Sequence, residues 1–284
     1  MKRAAKVDAN QKETVNVLSL GAGVQSTTLA LLGEKQMYGM PRFDFAVFAD
    51  TGAEPQSVYD CLERIKHHVS YPVIIAQHGD GLTESIVRAT RDQHVRFASV
   101  PFFTLNDDGS VGMLRRQCTN EYKIQPVHKA IRERLEYKKG EKVKHVVNVW
   151  IGISRDEMTR MTTPRQKWMT HQYPLVDMEW RRSHCVDFLR KNWQWAVGKS
   201  SCTFCPYHDN KTWRDMKRND PSSWTQAVNV DNAIRNGFKQ TKEELYLHRS
   251  CQPLEEIDFD AILARNDDQR DFGFIEECEG MCGL

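Results

Sequence analysis

Aliphatic positions along the chain switch repeatedly between a period of two and a period near 3.6, and the first switch is the sharpest. Val15, Val17, Leu18 and Leu20 run into Gly21-Ala22-Gly23, and a helical apolar pattern resumes after Ser26. This predicts a strand, a tight loop and a helix near Ser26 to Gln36. Phe43 to Ala49 is a second buried strand, closing on Asp50-Thr51-Gly52. Pro55 then opens a helix from Gln56 to Val69 with Val58, Leu62 and Ile65 on its inner face. Pro72 to Ala76 is a third strand and Leu82 to Arg96 a helix, whereas Pro101 to Gly112 reads as a loop with a turn at Asn106-Asp107-Asp108-Gly109. Thr119 is a candidate cap, and Pro126 marks the start of a separate helix running to Tyr137. Val143 to Ile153 has the branched, alternating character of a further core strand, and Arg182 to Trp195 that of a helix. Short apolar strands alternating with helices predict an α/β fold: a doubly wound, mostly parallel sheet with helices on both faces.

Chemistry gathers where the strands end. Gly21 and Gly23 allow backbone N–H groups to approach an anion closely, and the helix that follows adds unpaired donors and its positive dipole end. The hydroxyls of Ser19, Ser26, Thr27 and Thr28 are additional candidate donors. The loop is neither a Walker loop, since no Lys follows the glycines, nor the dinucleotide fingerprint, since the third glycine is missing. Asp50-Thr51-Gly52 lies at a second strand end, and Gly152-Ile-Ser-Arg-Asp-Glu-Met-Thr-Arg160 at a third. In open α/β sheets, ligands bind at that carboxyl edge.

Forty basic residues against thirty-eight acidic ones give a net charge of +2, so no global polyanion-binding field is implied. The first thirteen residues are polar, no signal-peptide core is present and no apolar run reaches membrane-spanning length, so a cytoplasmic protein with no membrane contact is expected. Beyond Lys199 the chain becomes rich in Trp, Arg, Asn and Cys, which places a boundary near residue 196. Eight cysteines in such a compartment argue against structural disulfides. Cys61 and Cys185 fall in amphipathic helical patterns and read as core residues. Tryptophans interleaved with basic residues in the second half fit either buried rings beneath a solvated basic face or a nucleic-acid surface.

Taken in order, these residues resemble the phosphoadenosine phosphosulfate reductase family, within the adenine nucleotide alpha-hydrolase (PP-loop ATP pyrophosphatase) superfamily. The likeness rests on the Gly21 loop, Phe48-Ala-Asp-Thr-Gly52, Cys118 with Lys123 and Pro126, Gly152 to Arg160, Tyr173-Pro-Leu175, Cys202-x-x-Cys205 and the closing Cys282-Gly-Leu284. The resemblance implies a polar tail at 1–13, an adenine-nucleotide-binding domain at 14–195 and a C-terminal iron–sulfur region at 196–284. It implies that Ser19, Gly21, Ala22, Gly23, Gln25, Ser26 and Thr27 cradle the phosphates of ATP, adenylyl sulfate or its 3′-phosphate. Asp50, Thr51, Gly52 and Lys123 would then face the nucleotide, and Arg155 and Arg160 would reach phosphate or sulfate oxygens, for which a guanidinium provides bidentate bonds. The plain alternative pairs Arg155 and Arg160 with Asp156 and Glu157 on a solvated helix. ATP-splitting members carry Ser-Gly-Gly-x-Asp-Ser where this chain has Gly21-Ala-Gly-Val-Gln-Ser26. Gln25 thus replaces a carboxylate partner for Mg²⁺, the cofactor that use of ATP would add.

The two-residue gap between Cys202 and Cys205 lets neighbouring thiolates grip one centre. With Cys118 and Cys278 they form the candidate ligand set of a [4Fe-4S] cluster; zinc bound by four cysteines, or by three with His208, is the competing centre. In reductase relatives a cysteine near the carboxyl terminus attacks the sulfur of the bound sulfonucleotide, and Cys282 matches that position, with Cys278 and Cys282 exchangeable between ligand and nucleophile. A thioredoxin-type reductant would be the partner of that reaction. ATP-dependent sulfur transfer to nucleic acid, and a non-catalytic nucleotide- or nucleic-acid-binding role, are the competing functions.

Overall fold

The computed structural model describes residues 13–92, 94, 100–238, 241 and 243–265. Its strands are β1 (Thr14–Leu20), β2 (Phe45–Asp50), β3 (Val73–Gln77), β4 (Phe103–Leu105), β5 (Val111–Met113), β6 (Val146–Ile151), β7 (Met169–Gln172) and β8 (Glu244–Tyr246). The helices are α1 (Val24–Glu34), α2 (Gln56–His68), α3 (Leu82–Arg91), α4 (Gln125–Arg134), α5 (Pro174–Asp177), α6 (Arg182–Trp193), α7 (Asn210–Asn219), α8 (Pro221–Ile234) and α9 (Phe259–Ala264).

Five strands form a wholly parallel sheet in the order β3-β2-β1-β6-β7. Both faces are covered, because β1 and β2 send alternate residues to opposite sides. Leu18, Leu20, Ala46 and Phe48 enter a core shared with α1, α2 and α6, while Val15, Val17, Phe45 and Val47 enter one shared with α4. Near-continuous apolar runs are what a sheet buried on both faces demands. The expected doubly wound α/β architecture is therefore present. The strand order reverses between β1 and β6, so the carboxyl ends of that pair form the crevice where such sheets take ligands.

A third core gathers α3, α7, α8 and α9 with a three-stranded antiparallel sheet, β5-β4-β8. It draws on residues 82–122 as well as on 204–259. The segment expected to be a loop at Pro101 to Gly112 is a hairpin around the anticipated turn, with Phe103 opposite both Met113 and Tyr246. Pro126 does not begin a separate helix. A π-helical turn at Asn120–Ile124 leads straight into α4, and Pro126 sits in the first turn of α4, where its missing N–H costs nothing. Trp213 is fully buried, and Trp168, Trp180, Trp193 and Trp224 pack against the cores, so tryptophan burial is the arrangement found. Among the described residues no helix is long and apolar enough to cross a membrane.

Two buried imidazoles tie stability to pH. His248 bridges Asn210 Oδ1 (2.9 Å) and Ser250 Oγ (2.8 Å), and burial, with a smaller contribution from Arg249, pulls its pKa down to about 4. Burial, reinforced by His171, lowers His128 to about 4 as well. Both rings are neutral in the fold but take up a proton on unfolding below their ordinary pKa, so stability falls as pH drops from about 6.5 towards 4. For His248 alone the loss between pH 7 and pH 5 is about 2 kcal/mol. Urea unfolding of the wild type and of His248→Asn at both pH values checks this: the substitution should remove most of that increment, and equal pH dependence in both proteins would contradict it.

Candidate functional site

Three loops at the carboxyl edge make the first half of the site. After β1 the chain turns through Gly21, Ala22 and Gly23 into α1. Ala22 holds a left-handed conformation (φ 53°) although it has a Cβ, which costs about 1–2 kcal/mol. Ser26 clasps the turn, accepting from the Gly21 N–H (3.2 Å) and donating to the Gly23 carbonyl (3.3 Å). Thr27 is fully buried with its hydroxyl 3.6 Å from Cys61, and the Thr28 hydroxyl donates to the Val24 carbonyl. Backbone N–H groups at the start of α1 are therefore the donors this loop presents to an anion.

The loop after β6 presses directly on that helix start. A Cβ at Gly152 would lie 2.7 Å from the Ser26 nitrogen and 3.0 Å from Ser26 Cα, so only glycine permits the approach. Gln25 then becomes a hub: its amide nitrogen donates to Glu157 Oε2 (3.0 Å) and to Ser154 Oγ (3.4 Å), and its oxygen accepts from Arg182 Nη1 (3.1 Å). Arg160 is ion-paired to Glu157 at 2.8 Å, but the pair is buried instead of lying on the solvated helix of the plain alternative. Arg155 instead pairs with Glu179 on the surface at 3.2 Å, and Asp156 accepts the Arg182 backbone N–H at the start of α6. Glu157 and Arg182 were not singled out from the sequence as site residues.

The third loop follows β2. Asp50 Oδ1 accepts from the Gly52 N–H and from the Tyr59 hydroxyl, both at 2.8 Å, so its carboxylate fixes the turn. Thr51 is buried and its hydroxyl donates to Glu54 Oε1 at 3.1 Å. Glu54 also meets the buried Lys123 ammonium from the π-helical turn, at 3.4 Å. A small pocket between the ends of β1 and β2 is lined by Ser19, Gly21, Phe48 and Ala49, with Glu54 and Lys123.

The second half of the site is a narrow cleft of about 30 Å³. Cys118, Cys202 and Cys205 all line it, together with Lys123, which it shares with the β1–β2 pocket. Its remaining walls are mostly apolar or aromatic, Leu82, Val100, Tyr122 and Phe204 among them. Cys202-x-x-Cys205 is tied to the β2–α2 loop by the Thr203 N–H, which donates to the Ala53 carbonyl at 2.8 Å. The Cys202 sulfur lies 3.5 Å from Thr51 Oγ1 and 4.0 Å from Glu54 Oε1. Burial, with the Glu54 carboxylate beside it, pushes the Cys202 thiol well above the usual thiol range, and Lys123 opposes only part of that. His208 directs Nε2 at the Cys202 carbonyl (2.9 Å) and packs edge-on against Trp213. Among the described residues, no three His, Cys, Asp or Glu side chains converge tightly enough to chelate a single metal ion. Cys278 and Cys282 lie outside the described residues.

No protein-family model and no curated protein matches the chain. Among solved structures it is similar to phosphoadenylyl-sulfate (PAPS) reductase from Candida auris, phosphate complex, at 13% identity, covering 64% of this chain and 73% of that one with a TM-score of 0.40. It is also similar to the U34-tRNA thiolase NcsA from Methanococcus maripaludis with its [4Fe-4S] cluster, at 12% identity, covering 88% and 82% with a TM-score of 0.37. Neither score reaches 0.5, and the fold stands on the strand order given above.

The contact at Gly152 is the most sensitive point of the edge. Gly152→Ala forces backbone against backbone and should lower stability by about 1–3 kcal/mol, seen as a drop in Tm of several degrees. An unchanged Tm would show that the β6 end and α1 part without cost.

Proposed function

We propose that this chain is an enzyme of the phosphoadenosine phosphosulfate reductase type, which binds an adenine nucleotide at the Gly21 loop and performs sulfur chemistry beside an iron–sulfur cluster. The observation that carries the reading is one of placement. Three cysteines from two segments over eighty residues apart line a single cleft, and that cleft shares Lys123 with the pocket at the phosphate loop.

The donor set is thiol-rich: three cysteines line one mostly apolar cleft, and soft thiolate ligands suit an iron–sulfur cluster, with zinc as the competing centre. Cys118, Cys202 and Cys205 would hold the cluster, with Cys278 as the fourth ligand, and a bound metal would make the otherwise protonated Cys202 a thiolate. Bound there, the cluster would supply electrostatic stabilisation for an anionic substrate and a route for electrons.

The chain's own residues do the rest. Backbone N–H groups of Gly23 to Ser26 hold phosphate oxygens, and Arg160, set by Glu157, orients the sulfonate. Gln25 in place of a carboxylate removes both a Mg²⁺ ligand and a negative charge from the loop, which suits an anionic sulfonucleotide bound without metal. Cys282 as thiolate attacks the sulfonucleotide sulfur; the S–O bond to the phosphate breaks and the nucleotide leaves with that electron pair. The resulting S-sulfocysteine is released as sulfite when a thioredoxin-type dithiol supplies two electrons and becomes a disulfide.

Anaerobic purification should yield a brown protein with about four iron and four sulfide per chain. Cys118→Ser, Cys202→Ser and Cys205→Ser should each lose most of the chromophore; zinc in its place would overturn the cluster. With dithiol present, labelled sulfonucleotide should release sulfite, and Arg160→Gln should slow that release by about tenfold or more. Pyrophosphate released from ATP in response to RNA, with no sulfite formed, would replace this reading by ATP-dependent sulfur transfer.

A further inference from the structure

The pocket between the ends of β1 and β2 has one wall whose chemistry is incomplete. Glu54 is buried (7% exposed); its Oε1 takes the Thr51 hydroxyl and the Lys123 ammonium, but its Oε2, also buried, has no hydrogen-bond partner. A carboxylate oxygen accepts and cannot donate, and buried acceptors without donors are rare in folded proteins. Such an atom on a pocket wall marks the place of a donor that arrives with a ligand.

The surroundings narrow what that donor is. The same pocket runs from Gly21, at the phosphate loop, to the apolar Phe48 and Ala49 at the end of β2. With its phosphates on the loop, a nucleotide would bring a ribose or base edge to this pocket, which is too small to enclose a whole nucleoside. An isolated carboxylate there would repel phosphate, but Lys123 at 3.4 Å offsets the charge and leaves Glu54 able to accept. Acidic side chains that accept from ribose hydroxyls are a recurrent device of nucleotide-binding α/β sheets.

We infer that Glu54 is a specificity-determining residue for the nucleoside: Oε2 accepts a hydrogen bond from a ribose hydroxyl or from the exocyclic amine of the base. The inference rests on the proposed placement of an adenine nucleotide at the Gly21 loop. Glu54 thereby joins two recognition events, since its other oxygen faces Thr51 and the sulfur of Cys202.

The test is calorimetric titration of the full-length protein with AMP, 2′-deoxy-AMP, 3′-deoxy-AMP and IMP, without added metal. The wild type should bind at least one analogue about tenfold more weakly than AMP, and the analogue affected identifies the donor. Glu54→Ala should bind AMP about as weakly as the wild type binds that analogue, and should discriminate the two by less than about threefold. Glu54→Gln keeps the shape and one acceptor; because it leaves Lys123 without its ion-pair partner it should melt below the wild type, and its circular dichroism at the titration temperature separates loss of the acceptor from loss of the fold. If the wild type binds AMP but treats all four nucleotides alike, Glu54 reads no donor and the inference fails while the nucleotide site stands, a result that needs no variant. If AMP does not bind at all, the placement of the nucleotide itself is wrong and this inference falls with it.

Discussion

The buried ion pair between Lys123 and Glu54 is the contact on which the arrangement of the site depends. Taking both charges out of water costs several kcal/mol per ion before their attraction is counted, so the pair is a poor source of net stability. Its value is positional. Glu54 comes from the loop after β2, Lys123 from the π-helical turn before α4, and the Cys202 sulfur lies 4.0 Å from the same Glu54 oxygen. Losing one partner strands the other charge in the interior, which fixes three distant segments in one relative placement. Wide-bore helical turns recur at functional sites, and here the turn carries the lysine that two cavities share.

A second network governs the mouth of the Gly21 loop. Gln25, Ser154, Glu157, Arg160 and Arg182 form one hydrogen-bonded set across the reversal of strand order. Two guanidinium groups and one carboxylate leave the set positive, and the amide of Gln25 satisfies an acidic and a basic neighbour at once. The substitution at this position is therefore a rebuilt network rather than a missing group. The loop is also held in shape by Ser26 and by the left-handed Ala22, without any bound anion.

Much of this was legible in the chain because strand ends announce themselves. The Gly21 loop, Asp50 to Gly52 and Gly152 to Arg160 each follow an apolar run, and α2 begins where Pro55 predicts. The elements that escaped are those too short or too polar for a period to register: β7 is Met-Thr-His-Gln, and β4, β5 and β8 are three residues each. Glu54 lies two residues beyond the Asp50-Thr51-Gly52 motif and becomes a site residue only through Lys123 and Cys202. Arg182 meets Gln25 across 157 positions, a distance at which no local pattern speaks. Asp156 and Glu157 lie only one and two positions from Arg155, spacings at which helical side chains do not face each other, and Arg155 pairs with Glu179 instead.

The bond from Thr203 to the Ala53 carbonyl has a mechanical meaning. Gln226 on α8 extends the same seam, holding Thr203 on one side and Thr83 on the other, and Thr83 in turn holds the Gly52 carbonyl. The parallel-sheet body and the core around α3, α7, α8 and α9 are thus stitched along the rim of the β2 turn rather than joined by a hinge. The cysteine cleft and the pocket between the ends of β1 and β2 have a common wall of little give, and neither widens without dragging the other's lining along.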